Sequence, residues 1–352
     1  MRRWAEIFFS ATSVAILVVV GFKLHELDMP IARFVRSFDI NAVNRIGDSV
    51  AVIGQGVLIG VLFAVLALAG WWWKQDRWKE TGVRGLVALF AVTVIVLLMK
   101  HLIGRPRPRF AHADDVMLGP SLTSGMDSFP SGHTINAFAA GAVLTRFFPN
   151  LGVSLFVLGG LVGISRVVRG SHFLTDVYTG AIAGLLIGTV VAVGFTHWRD
   201  HALPQLLRVG VPWIVVTFLV IWIILHRAPA WPEERVHLWV GGVCVLCGVL
   251  FRLWGSLRGN RRELLCVLGN TSLLLGIAVA FAPWWMAALI VTAFLPHLVQ
   301  FYRSENWSFN GLFSNKKTPT KVDWRDELIV ASAAVLVILV LRSLQGILPL
   351  AS

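Results

Sequence analysis

The chain has 352 residues, is 56% hydrophobic and only 14% charged, and carries a formal net charge of +12. Its mean hydropathy of +0.73 and its long uncharged apolar runs exclude a water-soluble domain and specify a polytopic membrane protein. The positive charge belongs to inner loops and anionic headgroups rather than to nucleic acid, since no basic run is interleaved with aromatics in a soluble segment.

The first apolar run follows Met1-Arg2-Arg3 and ends near Phe22. Lys23-Leu24-His25-Glu26 comes next instead of a small-residue cleavage site, so an uncleaved first span is expected. Asp28 to Asp48 reads as the first outer loop. Its mixture of Phe34, Val35, Phe38 and Ile40 with Arg33, Arg36 and Arg45 fits an interfacial amphipathic helix and an ordinary loop equally well. The second span is Ser49 to Trp73, with Trp71, Trp72 and Trp73 as interfacial anchors before Lys74. The third runs from Val83 to about Met99 and is closed by Lys100. The fourth starts after Pro130 and ends at Arg146. The fifth is Phe147 to Ser165, with Pro149-Asn150 as a turn, and the sixth is Val177 to Thr196, opened by Asp176.

Beyond Arg199 further runs occur at Val209 to Leu225 and Val236 to Phe251. Leu264 to Tyr302 holds no Asp, Glu, Lys or Arg. As one helix it would reach about 58 Å, roughly twice the ~30 Å hydrocarbon thickness, so it must fold back, and Ala282-Pro283 is the expected turn. A last run is Leu328 to Leu341, and Asn306 to Arg325 reads as a polar inner loop. Cys244-Val245-Leu246-Cys247 has C-x-x-C spacing but lies inside a span without strand–turn–helix context, so the cysteines read as packing residues. The expected fold is all-α: a six-span core in residues 1–200 and about five further spans in residues 201–352. With the N-terminus inside, most basic residues outside the motifs below fall on the inner side, among them Arg2, Arg3, Lys74, Arg77, Lys79, Arg146, Arg199, Arg261 and Arg262. The outer face then holds the Trp231-Pro232-Glu233-Glu234 loop and three short blocks.

Those blocks are Lys100-His101-Leu102-Ile103-Gly104-Arg105-Pro106-Arg107-Pro108, then Pro130-Ser131-Gly132-His133, then Ser165-Arg166 with His172 and Asp176 behind it. As patterns they read K-x6-R-P, P-S-G-H and S-R-x5-H-x3-D. Each is weak alone; together, each at the edge of a span, they supply cations, backbone amides and a His–Asp pair. A phosphate carries about −1.5 to −2 charge near neutral pH, and its reaction requires aimed donors in a site with little water. Lys100, Arg107 and Arg166 are the candidate cations. Ser131 and Gly132 open a helix whose positive end attracts anions. His172 and Asp176 lie one helical turn apart, so the carboxylate can fix the imidazole tautomer and leave the other nitrogen nucleophilic. His133 can protonate the leaving oxygen. Arg105 and Arg169 are further phosphate-binding candidates, with snorkelling to the interface as the equal alternative. The same His–Asp pair could hold a metal with His112, Asp114 or Asp115, but no third ligand has metal-site spacing, so neither metal nor cofactor is expected.

On these three blocks the chain resembles the type 2 phosphatidic acid phosphatase family, whose active site is shared with glucose-6-phosphatase and the vanadium haloperoxidases. The resemblance covers about residues 1–200. It implies a six-helix core and a phosphohistidine intermediate, with His172 as nucleophile, Asp176 as its charge partner and His133 as general acid. It also implies that Lys100, Arg107, Arg166, Ser131 and Gly132 hold the phosphate. Many members continue the third block as H-Y-x-S-D, where this chain has His172-Phe173-Leu174-Thr175-Asp176. The expected activity is metal-independent hydrolysis of a lipid phosphate or pyrophosphate at the exoplasmic face of the plasma membrane. Polyprenyl pyrophosphate, phosphatidylglycerol phosphate, phosphatidic acid and lipid A are the candidate substrates. The alternatives are a lipid phosphotransferase, whose extra spans build the acceptor site, and a transporter or scaffold. The C-terminal part has no recognisable motif and reads as a membrane module for contacts or stability.

Overall fold

Apolar runs closed by a charge, a glycine or a proline fold as helices in a computed structural model that describes residues 2–37, 48–111, 118–225, 234–257, 262–283 and 285–294. The helices are α1 (Arg2–Ser37), α2 (Gly56–Trp72), α3 (Asp76–Ile103), α4 (Gly132–Phe147), α5 (Pro149–Val168) and α6 (Leu174–Val193). They continue as α7 (Leu203–Leu225), α8 (Glu234–Leu257), α9 (Arg262–Phe281) and α10 (Trp285–Phe294). Among the described residues there is no strand. The chain is an all-α membrane protein: α3, α5 and α6 are each long and apolar enough to cross a bilayer, and the bent pair 48–54 and 56–72 together makes a fourth such element. The last expected run, the loop of residues 306–325 and Trp231, Pro232 and Glu233 lie outside the described residues.

Two expectations are corrected. Helix α1 does not stop near Phe22 but continues to Ser37 through Pro30. Asp28 is therefore a buried helical residue, not the start of a loop. The charges that broke the apolar run at Lys23 stay within the helix: Lys23 pairs with Glu26, and Asp28 meets partners on other elements. The second span is also not continuous. It bends by 42° at Gln55, between the 3-10 turn Val52–Gly54 and α2. Elsewhere the breaks fall where proline and glycine chemistry put them. Pro149 sits in the first turn of α5, and α9 ends at Phe281, just before Pro283.

Contacts divide the chain into two compact units, residues 21–203 and residues 1–20 with 204–352. In the first, α4 is the central helix and touches α2, α3, α5 and α6. With 16 residues it is only about 24 Å long at 1.5 Å per residue, and its small residues Ala137, Ala139, Ala140, Gly141 and Ala142 are buried all round the helix. Close approach to α6 requires that α6 lack side chains there. Gly180, Gly184 and Gly188 repeat every four residues, and a Cβ on Gly184 would lie 2.5 Å from the Ile135 carbonyl oxygen. We expect Gly184→Leu to lower the midpoint of thermal unfolding in detergent, at a cost of at least ~1–3 kcal/mol. Gly160→Leu, whose Cβ meets nothing within 4 Å, should leave it unchanged.

The end of this bundle away from the motif blocks is held by arginines from α3. Arg77 Nε donates to the Phe147 carbonyl at 2.8 Å, and Arg84 donates to the Ala192 carbonyl at 2.8 Å. Both satisfy the open carbonyl ends of α4 and α6, where a cation is favoured. In the second unit α8 packs along α9, with Gly241 against Gly276 and Gly248 against Gly269. Trp222 of α7 meets Trp285 of α10 edge to face at 4.9 Å.

Candidate active site

The C-terminal ends of α3 and α5 and the N-terminal ends of α4 and α6 meet at one end of the first unit, and the three motif blocks meet there with them. Gly104 ends α3 with φ +52°, and a Cβ at this position would stand 1.9 Å from the Gly119 carbonyl oxygen, so only glycine allows the chain to turn back here. The loop that follows is tied to its neighbours by backbone bonds: Arg107 N–H donates to Gly125 O, Ser128 N–H to Arg105 O, and Arg109 N–H to Gly170 O. Ser131 N–H donates to the Asp176 carbonyl. These bonds fix the relative places of blocks that are far apart in sequence.

A cavity of about 350 Å³ opens between them, lined by Lys100, Arg107, Gly132, His133, Arg166 and His172 together with Gly54, Gln55, Gly56, Val57, Asn136 and Ser171. Six of the candidates read from the sequence thus share one space. The bend in the second span lines this space too. Gly54 has no room for a Cβ, which would fall 2.9 Å from the His133 carbonyl oxygen.

The remaining candidates sit otherwise. Ser131 is fully buried and its hydroxyl pairs with Thr134 Oγ1 at 2.9 Å, so it does not line the cavity. Arg169 Nε donates to Asp48 Oδ1 at 3.2 Å on the surface side. Arg105 neither snorkels nor reaches the cavity: it is 6% exposed and lies between Asp176 (2.5 Å) and Asp28 (2.7 Å), with its guanidinium 4.2 Å over the Phe173 ring. Burial opposes its charge, but the two carboxylates outweigh that penalty and raise its pKa above the ordinary arginine value.

The His172–Asp176 pair differs from the expected geometry. His172 precedes the first turn of α6, so its ring and the Asp176 carboxylate are not stacked one turn apart on a helix. Nδ1 is 3.8 Å from Asp176 Oδ2, too far for a hydrogen bond, and 2.6 Å from the Ser128 backbone carbonyl. A carbonyl only accepts, so Nδ1 carries the hydrogen and Nε2 carries the lone pair. Asp176, fully buried, instead accepts from Arg105, from Ser128 Oγ at 2.5 Å and from the Phe173 amide at 2.8 Å. It holds the residue that holds His172.

Asp127 was not anticipated. It accepts from Arg107 Nε at 2.8 Å and NH2 at 2.6 Å and lies 3.3 Å from Lys100 Nζ. The hydrogen bonds from Arg107, reinforced by the charge of Lys100, hold its carboxyl well below the usual carboxylate range, so it is ionised wherever the protein is folded near neutrality. Arg166, mostly buried, lies 3.4 Å from Asp48. Lys100, Arg107 and Arg166 thus each lie beside a carboxylate that does not line the cavity.

The sequence pattern of the PAP2 superfamily matches residues 82–201. Over 156 residues the chain is 30% identical to phosphatidylglycerophosphatase B of Bacillus subtilis strain 168, an overlap of 41% of this chain and 71% of that protein. The chain belongs to the PAP2 superfamily. It is also 28% identical over 152 residues to the undecaprenyl-diphosphatase BcrC of the same organism, covering 41% of this chain and 73% of the other. A crystal structure of a transmembrane PAP2-type phosphatidylglycerolphosphate phosphatase from Bacillus subtilis superposes with a TM-score of 0.41 and 23% identity, over 55% of this chain and 98% of that one. The PAP2 match contains all three motif blocks, and this PAP2 protein is a membrane-embedded phosphatase.

Proposed function

We propose that this chain hydrolyses a lipid phosphate or diphosphate at the exoplasmic face through a phosphohistidine on His172. The observation that supports this reading best is that His133 and His172 line one cavity with Lys100, Arg107 and Arg166, while Ser128 fixes the His172 tautomer. The lone pair of Nε2 attacks phosphorus, and the bond to the lipid oxygen breaks as His133 passes its proton to that oxygen. Lys100, Arg107 and Arg166 hold the non-bridging oxygens, and the first turn of α4 at Gly132 adds its positive end. The phosphorylated imidazole is cationic, and the Asp176 carboxylate 3.8 Å away stabilises it through space. Water then attacks phosphorus and gives a proton to His133. The P–N bond breaks, its electron pair returns to Nε2, and inorganic phosphate leaves.

Membrane placement favours a lipid substrate, because the cavity sits at the end of apolar helices. The relatives act, by name, on phosphatidylglycerophosphate and undecaprenyl diphosphate, and further relatives on lipid A; polyprenyl diphosphates, phosphatidylglycerol phosphate, phosphatidic acid and lipid A are the candidates. The exoplasmic assignment rests on the basic residues of the opposite loops. In this reading residues 1–200 are the phosphatase core and residues 201–352 a membrane module. Purified protein given a panel of these four lipids should release phosphate from at least one of them, equally well in EDTA, and should stop in orthovanadate. Strict metal dependence, or no release from any lipid, would overturn the proposal.

A further inference from the structure

Behind the nucleophile a line of buried polar groups runs away from the cavity to the first helix. Asp28 of α1 is 2% exposed. It accepts from Arg105 NH2 at 2.7 Å, from the Thr175 amide at 3.0 Å and from Thr175 Oγ1. Arg105 reaches onward with NH1 to Asp176 at 2.5 Å and to Thr175 Oγ1 at 2.8 Å. Asp176 holds Ser128 Oγ, and the Ser128 carbonyl holds His172 Nδ1. Neither Asp28 nor Arg105 lines the cavity, and Asp28 lies outside both the motif blocks and the PAP2 match.

We propose that Asp28 and Arg105 are positioning residues for His172, and that the first helix thereby belongs to the active-site machinery. One guanidinium stands between two carboxylates, with the His25 ring 3.2 Å from Asp28 at the outer end, so Arg105 by itself cannot neutralise both acids. Asp28 takes part of the Arg105 charge, and Asp176 retains enough of its own to orient Ser128 and to face the imidazole as it becomes cationic. Without the Asp28 charge, Arg105 and Asp176 close into a neutral pair, and the field at the imidazole falls. In so dry a place that field is weakly screened. The planar fork of arginine bridges two carboxylates with separate nitrogens, which a lysine cannot do.

This inference rests on the reading of His172 as nucleophile. Asp28→Asn keeps the size of the side chain and an oxygen for the Thr175 amide, and removes the charge. Arg105→Lys keeps the charge and removes the fork. With kcat expressed per orthovanadate-binding site, so that unfolded protein does not count, both variants should lose about 10–100-fold in kcat while KM and the vanadate inhibition constant stay within about twofold. A merely structural role would lower the number of vanadate sites and leave kcat per site intact. Wild-type kcat per site in either variant, or a loss that appears only in KM, overturns the proposal. If those two variants give no folded protein, Thr175→Val carries the test, with the same pattern expected and the same results fatal. A wild-type enzyme inert on every lipid, or a fully active His172→Ala, would sink the phosphohistidine reading itself. An active wild type, a dead His172→Ala and an unaltered Asp28→Asn would remove only the role of Asp28.

Discussion

His172→Ala releases no phosphate above background, a loss of at least about 10⁴-fold in kcat/KM. The imidazole is buried and already oriented by the Ser128 carbonyl, and in the proposed chemistry it forms the bond to phosphorus, so no neighbour can take its place. His133 lines the same cavity, but in that chemistry it serves the leaving oxygen. The variant should stay folded, because the side chain contributes a single hydrogen bond to the loop and touches the cavity on its other side. Brief exposure of wild-type protein to a phosphorus-32-labelled lipid phosphate, followed by denaturation, should leave acid-labile label on the chain, and the variant should carry none. Near-normal turnover in His172→Ala would show that another group attacks phosphorus.

The second large effect is expected at Asp176. Every partner of its carboxylate is a donor: Arg105 NH1, Ser128 Oγ and the Phe173 amide. An asparagine must turn its NH₂ toward at least one of them, which places donor against donor in a fully buried site and leaves Arg105 with one carboxylate fewer. We expect Asp176→Asn to lower kcat by about 10³–10⁴-fold, and to destabilise the fold by at least ~1–3 kcal/mol for the unsatisfied group. The split differs from that of His172→Ala, which should spare stability. Thermal unfolding in detergent beside phosphate release separates the two. An Asp176→Asn protein of wild-type stability and rate would mean that the Ser128 carbonyl needs no support from below.

Much of the site was legible because three blocks carry residue types that are costly at membrane depth and rarely placed there without a task. Lys100, Arg107, Gly132, His133, Arg166 and His172 could be named from type and spacing, and all six line the cavity. The span edges were legible to within about a residue for α4, between Pro130 and Arg146, whereas α5 runs on through Arg166 to Val168 and α6 starts at Leu174 and stops at Val193, before Gly194. Other features depend on contacts between elements and leave no local trace. The Ser128 carbonyl is a backbone atom, and only the course of the loop before Pro130 makes it a partner of His172. Asp127 sits directly before that serine, so adjacency to the second block was the available signal. Asp28 looked like a loop boundary because Lys23, Glu26 and Asp28 interrupt the apolar run. A helix tolerates such residues when they pair at i, i+3 or face a buried cation, and both occur here. The bend at Gln55 falls in an uncharged run, where hydropathy is blind to backbone direction. The glycine row of α6 was readable as a four-residue repeat, but only the facing carbonyls of α4 explain it.

The bond between the Ser128 carbonyl and His172 has a consequence for how this enzyme can change over generations. A side-chain partner of this imidazole would be one codon away from loss, but a main-chain oxygen is encoded by every amino acid alike. Substitutions at residue 128 can therefore weaken the brace beneath that oxygen without deleting it. Drift in the loop before Pro130 is then the main route by which this imidazole could lose its bearing.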